Sequence, residues 1–169
     1  MWSKLGLLIV LGGLAACGFR PLYGPQAGYD QSLEEFASIS IAPIPDRIGQ
    51  ILRNELRDRL TPRGVPRSPR YRLAIVMGQT KEGLAFEKDE TVTRFNLVVR
   101  ATYQLVDVET GTVLTSGAAR SVAAFNVVLS EFANIAAEAD AESRTAKAVG
   151  EDIWVRLGVF FSRVIDARS

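Results

Sequence analysis

Apolar and polar positions alternate along four segments of the chain, and this period of two predicts β-strands. The clearest segment runs from Arg94 to Leu105, where every second residue from Phe95 is apolar and the positions between are mostly polar. The other predicted strands lie at 36–42, 71–78 and 113–127. Strands with one apolar and one polar face are typical of an antiparallel sheet covered on one side.

Two other segments repeat their apolar positions in steps of three and four, which predicts amphipathic helices. The first begins at Asp46, a suitable N-cap, and ends before Pro62 and Gly64. The second begins at Ser130. Its predicted buried stripe consists of Phe132, Ile135, Ala139, Ser143, Ala146, Val149, Ile153, Leu157, Phe160 and Val164.

The element order β-α-β-β-β-α predicts an α+β fold in which two helices pack on a mostly antiparallel four-stranded sheet. We expect this fold to form a single domain at 36–169, a size that can bury a real core. Gly117 suggests a bulge in the last strand. Gly150 and Gly158 suggest close packing on the sheet, or a slight bend, in the second helix.

The first 16 residues have the organisation of a secretory signal peptide. Lys4 precedes an uncharged apolar stretch that is too short to span a bilayer as a helix, for which about 20 residues are needed. The stretch ends in Leu14, Ala15, Ala16 and Cys17, which resemble the bacterial lipobox. The sequence therefore predicts S-diacylglycerol attachment to Cys17, cleavage before Cys17, and N-acylation of the amine that cleavage frees, which would anchor the protein firmly.

Residues 17–35 are interpreted as the lipidated N-terminus and a tether, because prolines and glycines interrupt any apolar period. Gly18 is the second residue of the mature chain, a position where aspartate commonly retains a lipoprotein at the inner membrane. Its presence favours the outer membrane. Phe19, Leu22 and Tyr23 either pack locally or lie at the membrane surface, and the sequence leaves both open.

Composition excludes several kinds of chemistry. The sequence has no histidine, and its single cysteine is the predicted lipidation site. Ser–His–Asp sites, Cys–His sites and metal sites built on His or Cys are therefore excluded, which leaves carboxylate or Ser–Lys chemistry. Without residues 1–16, which include Lys4, 19 basic and 19 acidic residues remain, so nothing favours nucleic acid as a partner. We expect a binding protein without cofactor or metal, with a carboxylate-dependent hydrolase as the enzymatic alternative.

Two basic groups are candidate anion sites, because arginine binds phosphate in a bidentate manner. Residues 46–72 hold eight arginines against three acids, and the least neutralised are Arg63, Arg67, Arg70 and Arg72. The second group flanks the connection between the second and third strands and consists of Lys81, Lys88 and Arg94. We favour the alternative that both groups are solvated faces: the charges of the first balance the acidic second helix, and acids lie among those of the second.

Two further groups have a structural and a functional interpretation. Leu84 and Phe86, in the same connection, either contact a partner or fold back on the sheet. Glu138 and Glu142 share a face of the second helix. We interpret these two and Asp140 as a solvated helix flank rather than as an acid/base group or cation site.

Three parts of the chain resemble the lipopolysaccharide-assembly lipoproteins, the LptE-like family. The first is Cys17-Gly18-Phe19-Arg20-Pro21-Leu22-Tyr23-Gly24. The second runs from Asp46 to Leu56, and the third from Phe125 to Val127 and on from Ser130 to Ala141. They occur in the family's order. Ala139 departs from the family, in which a polar residue is common there.

This resemblance implies a lipid-anchored protein of the outer membrane whose domain lies on the periplasmic side or inside a barrel lumen. Its partner would be the β-barrel translocon of lipopolysaccharide (LptD-like), which such a protein plugs and helps to assemble. It would also aid delivery of lipopolysaccharide, itself a further ligand, to the outer leaflet. The alternative is a lipid-anchored scaffold subunit of another envelope assembly, such as a barrel-insertion or efflux complex.

Overall fold

The computed structural model describes residues 33–86 and 92–167. A helical segment at 33–37 precedes six elements: β1 (Ile39–Ile41), α1 (Asp46–Leu60), β2 (Tyr71–Phe86), β3 (Val92–Asp107), β4 (Val113–Asn126) and α2 (Glu131–Asp166). The predicted α+β fold and its element order are confirmed, with the segment at 33–37 as an addition. The predicted signal peptide with its lipobox residues 14–16, the predicted lipidation site Cys17, Gly18 and Lys88 lie outside the described residues.

The four strands form one sheet in the order β1-β2-β3-β4. β1 pairs with β2 in parallel, whereas β2 with β3 and β3 with β4 are antiparallel, as predicted. β1 has three residues instead of the predicted seven. Its start is displaced because Phe36 and Ala37 belong to the helical segment, and Pro43 and Pro45 follow its end.

β2 and β3 form a longer hairpin than the sequence suggested. Each strand has 16 residues, about 53 Å at the usual rise. Residues 81–86 were expected to be a charged connection, and they continue β2 instead. The register with β3 runs from Tyr71 opposite Asp107 to Phe86 opposite Val92, with shifts at Gly83 to Phe86. The backbone hydrogen bonds between β2 and β3 do not depend on side-chain polarity, so the charged residues of this segment can still belong to the strand.

Both helices lie on one face of the sheet and run in the same direction. Arg47 of α1 pairs with Glu142 of α2, and further along Arg59 lies over the ring of Trp154. α2 has 36 residues, about 54 Å, and α1 has 15, so α1 covers only part of α2's length. We call residues 33–38 and 61–71 the proximal end. Residues 81–86, 92–95 and 126–135, where α1 does not reach, form the distal end.

The core lies between the helices and the sheet, and it is closed at the proximal end by aromatic rings. Side chains without exposed area come from both layers: Ile39, Leu52, Leu56, Leu73, Leu97, Val99, Leu105, Ile153 and Leu157. Phe161 of α2 contacts Phe36 and Tyr71, with ring centroids 5.6 Å and 5.4 Å apart. Burial of each such side chain contributes about 1.5–3 kcal/mol, so packing alone can hold the two layers together.

The predicted buried stripe of α2 is correct in its middle and wrong at its start. Ala146, Val149, Ile153 and Leu157 are buried as expected. Phe132 and Ile135, however, are 82% and 62% exposed. The reason is that α1 begins level with Glu142, so no second helix flanks the first turns of α2. Near the C-terminus Phe161, rather than Phe160, is fully buried.

The predicted helix starts have different outcomes. Ser130 caps α2 as expected, since its side chain accepts a hydrogen bond from the Ala133 N–H at 3.4 Å. Asp46 does not cap α1. It is the first helical residue, with φ +65°, and the N-cap is Pro45, without a side-chain hydrogen bond.

Two glycines provide room for a neighbouring side chain. Gly117 is not a bulge: it pairs in register with Tyr103, and a Cβ there would lie 2.7 Å from the Tyr103 Oη. The register shift of this strand pair lies between Leu105 and Val106 instead. Gly150 packs closely as predicted, but against α1 rather than the sheet, with Glu55 Cγ 3.0 Å from the Cβ position.

Candidate binding surfaces

The structure separates the four arginines of the first basic group. Arg63 and Arg67 lie exposed in the loop after α1. Arg70 is engaged, because its Nη1 lies 3.6 Å from Glu35 Oε2 and its guanidinium lies 5.4 Å from the Tyr71 ring centroid. Arg72 lies on β2 and is exposed. These four residues do not form one compact phosphate site.

The second basic group is also divided. Lys81 forms an ion pair with Glu138 on the helix-covered side of the sheet. Arg94 is exposed on β3, at a position that faces away from the helices. Lys81 follows Arg72 by nine positions along β2, a distance of about 30 Å. The two predicted groups therefore lie far apart and cannot bind one phosphate together.

The acids of α2 hold elements of the fold together. Glu138 pairs with Lys81 of β2, and Glu142 pairs with Arg47 of α1. Asp140 is exposed and pairs with Arg144, one turn further on, at 2.7 Å. Glu142 is buried, so the expected solvated flank is wrong at this position. Among residues 33–86 and 92–167, no cluster of acids is arranged to hold a metal ion.

The face of the sheet opposite the helices carries four exposed arginines, and we call it the basic face: Arg72, Arg94, Arg100 and Arg120. Arg100 of β3 and Arg120 of β4 lie directly opposite each other in the register. Beside them is a shallow depression of about 550 Å³, lined by residues that include Ala74, Val76, Thr102 and Ala118. This face thus combines positive charge with small side chains.

The Arg100–Arg120 pair is unfavourable in the free domain. Side chains at directly opposed positions have Cβ atoms about 4.5–5.5 Å apart, and like charges there are destabilising. Within the described chain neither guanidinium forms an ion pair. An anion bound between them would relieve the repulsion and accept bidentate hydrogen bonds. Sequence alternation placed Arg100 on the polar face, but only the register brings Arg120 beside it.

A second surface, which we call the distal patch, consists of Val128, Leu129, Phe132 and Ile135. Leu129 is fully exposed and Phe132 is nearly so. Asn134 holds the preceding loop, because its Oδ1 accepts the Val128 N–H and its Nδ2 donates to the Val128 carbonyl, both at 2.8 Å. Leu84 and Phe86 belong to the end of β2, at the same end of the molecule. Because Asn134 holds Val128 by two hydrogen bonds, the backbone that carries the patch is fixed at this loop.

Perturbed pKa values accompany structural interactions rather than a reactive group. Burial raises the pKa of the Tyr103 phenol, and the positive charge of Arg156 partly opposes that rise. Arg156 is itself paired with Asp152 at 2.8 Å, and their hydrogen bond raises the Arg156 pKa. In the turn after β3, hydrogen bonds led by the Thr110 N–H lower the pKa of Asp107.

The sandwich of two helices on a four-stranded sheet is shared with solved bacterial lipoproteins. A Caulobacter crescentus lipoprotein structure has a TM-score of 0.66 at 19% identity, covering 79% of this chain and 97% of that one. A minor lipoprotein of Acinetobacter baumannii has a TM-score of 0.57 at 16% identity, covering 72% and 90%. Lipoprotein B of Nitrosomonas europaea has a TM-score of 0.56 at 21% identity, covering 73% and 83%. At these identities the likeness establishes the fold.

The family is established by the sequence itself. The model of the LptE family, described as lipopolysaccharide-assembly, matches residues 36–157, which is 122 of the 169 residues. The chain therefore belongs to the lipopolysaccharide-assembly family LptE, as its resemblance suggested. No curated protein sequence matches the chain. Neither α1 nor α2, the long helices of the described part, is apolar enough along its length to cross a membrane.

Proposed function

We propose that the protein is an outer-membrane lipoprotein that plugs a β-barrel lipopolysaccharide translocon and supports its assembly. The observation that carries this proposal is the family match over residues 36–157. The protein acts by binding, without catalysis, cofactor or metal. Cleavage after the lipobox at 14–16 leaves Cys17 to carry the acyl chains, and Gly18 in the next position is compatible with transport to the outer membrane.

The distal patch supports the barrel as partner. Exposed apolar clusters on a rigid backbone mark interaction sites, and aromatic anchors such as Phe132 carry much of the binding energy at interfaces. Leu129 protrudes beside it, and Leu84 and Phe86 lie on the neighbouring hairpin. We assign this end of the molecule to contact with the barrel wall, where the side chains of Leu129 and Phe132 would be removed from water.

The basic face supports direct contact with lipopolysaccharide, whose lipid A carries phosphate groups. Arg100 and Arg120 are placed to bind one phosphate jointly, and Arg72 and Arg94 add positive charge on the same face. This changes the residues proposed from the sequence. Lys81 is already neutralised by Glu138, and Arg63 lies in the loop after α1.

Affinity purification of the tagged full-length protein from solubilised outer membranes tests the proposed partner. We expect a large barrel protein to co-isolate with the wild type. In Phe132→Glu the recovery of this barrel should fall at least about tenfold, which corresponds to a loss of about 1.4 kcal/mol in binding free energy. Val159→Glu is the matched control, because Val159 is an exposed apolar residue on the same helix away from the patch. This variant should retain the barrel.

The identity of the partner decides between the two proposals. Co-isolation of a barrel-insertion or efflux complex instead would favour the alternative scaffold function. If no barrel co-isolates and depletion of the protein leaves surface lipopolysaccharide unchanged, the translocon proposal is wrong. For the basic face, capture of purified lipopolysaccharide should fall in the double variant Arg100→Gln/Arg120→Gln and persist in Arg63→Gln/Arg67→Gln.

A further inference from the structure

A groove of about 440 Å³ lies at the proximal end, between the helical segment at 33–37 and the loop after α1. Its lining includes the exposed apolar residues Leu33, Ala37 and Pro62, and also Leu60, which is only 1% exposed. Glu34, Arg59 and Arg63 provide charged side chains at its margin. Leu33 is partly exposed and Ala37 is open to solvent, so an apolar ligand would remove both from water.

The chain itself supplies an apolar segment that is close enough in sequence to reach this groove. Leu33 lines the groove, and the residues that precede it include the apolar side chains of Phe19, Leu22 and Tyr23. Residues 24–32 span at most about 31 Å, and they contain glycines and a proline that favour a turn. A segment on so short a tether has an effective concentration on the order of millimolar, so modest apolar contact is sufficient for docking.

The charges of the segment and the groove are complementary. Arg20 lies between the apolar residues of the segment, and Glu34 lies at the margin of the groove. Asp30 of the tether can approach Arg63, which forms no ion pair within the described part of the chain. Attraction between these pairs favours docking of this segment over an unrelated apolar ligand.

We propose that residues 19–23 dock in the groove, with Leu22 and Tyr23 against Leu33 and Ala37. Docking would hold Cys17, two residues before Phe19, beside the proximal end of the domain. The acyl chains would then enter the membrane next to this end, and the distal patch would lie about 50 Å away along the strands. This docking involves only residues of this chain, so it does not depend on which envelope complex is the partner.

Disulfide formation within the full-length lipidated protein in membranes tests the docking. Gly24→Cys keeps every apolar side chain of the segment, and the native Cys17 is blocked by lipid. Val65 adjoins the groove residue Gly64 and is 58% exposed; Val76, on the basic face, is 73% exposed. We expect Gly24→Cys/Val65→Cys to oxidise about tenfold more than the control Gly24→Cys/Val76→Cys, a difference of about 1.4 kcal/mol.

A second pair of variants blocks the groove without touching the core. Ala37→Glu places a charge in the groove, and the control Ala148→Glu places the same charge on an exposed position of α2. The first should reduce the disulfide with Val65→Cys to the level of the Val76 control, and the second should not. Equal yields for the two cysteine pairs, or disulfides only between separate chains, would overturn the proposal. Neither result would alter co-isolation of the barrel, so the two proposals fail separately.

Discussion

At the scale of single residues, Arg100 and Arg120 lie directly opposite each other on neighbouring strands, an arrangement that is unfavourable for like charges. We predict that Arg120→Gln raises the free energy of unfolding by roughly 0.2–1 kcal/mol at low salt, because it removes a repulsion between directly opposed strands. The gain should shrink at 1 M salt, where the screening length is about 3 Å. Arg94→Gln is the control, since Arg94 lies opposite Asn126. Urea titrations at both salt concentrations measure the effect, and a salt-independent gain would contradict it.

Asp107 gives a residue-scale prediction on pH. Its Oδ1 accepts the N–H groups of Thr110 at 2.9 Å and Glu109 at 3.0 Å, which hold its pKa below the ordinary value of 3.8. A carboxyl group whose pKa is lower in the folded state adds stability above its unfolded pKa and loses it as the pH falls through the folded pKa. We predict that Asp107→Asn flattens the loss of stability below about pH 4.

Thermal unfolding across pH 2–6 measures this slope. Glu109→Gln is the control, because the Glu109 carboxylate accepts no hydrogen bond within the described chain, and its acid slope should match the wild type. If Asp107→Asn loses stability with falling pH as steeply as the wild type, the hydrogen bonds of this turn do not contribute to the pH dependence of stability.

At the scale of elements, replacing each of two helical glycines by alanine should change the free energy of unfolding in opposite directions. Alanine favours a helix by about 1 kcal/mol over glycine. At Gly158 a Cβ would meet Phe36 Cζ at an ordinary 3.7 Å, so Gly158→Ala should stabilise by about 0.5–1 kcal/mol. At Gly49 the Cβ would lie 2.7 Å from Ile44 Cγ2, so Gly49→Ala should destabilise by about 1–3 kcal/mol. Urea unfolding measures the free energy of unfolding of both variants. If both changed it in the same direction, the packing explanation would be contradicted.

The elements also show how far a sequence alone specifies this fold. Alternation and helical period predicted β3, α1 and the middle of α2, because each buries one continuous face against another layer. The exposure of Phe132 was not predictable, since it depends on where α1 begins beside α2. The facing of Arg100 and Arg120 depends on register, and the groove at Leu33 depends on a loop packing beside a helical segment. Each of these surfaces arises where two elements meet.

At the scale of the whole molecule, the three surfaces occupy different parts of an elongated domain. The groove lies at the proximal end, the distal patch lies at the other end, and the basic face lies on the side of the sheet away from the helices. Arg47–Glu142 and Lys81–Glu138 connect α2 to α1 and to β2, so the two ends belong to one framework. This framework would connect the proposed anchor at the proximal end to the proposed barrel contact at the distal end.

For binding of the proposed barrel, a fixed backbone at the distal patch should matter as much as the apolar area of the patch. We predict that Asn134→Ala frees the loop at Val128, because it removes both hydrogen bonds to that residue. Each bond contributes about 0.5–1.5 kcal/mol, so exchange of the Val128 amide should accelerate at least about tenfold, while the unfolding of the core changes little. Barrel recovery should fall although Leu129 and Phe132 remain. Asn126→Ala, at the end of β4, is the control, and unchanged exchange in Asn134→Ala would show that the loop is held by other contacts.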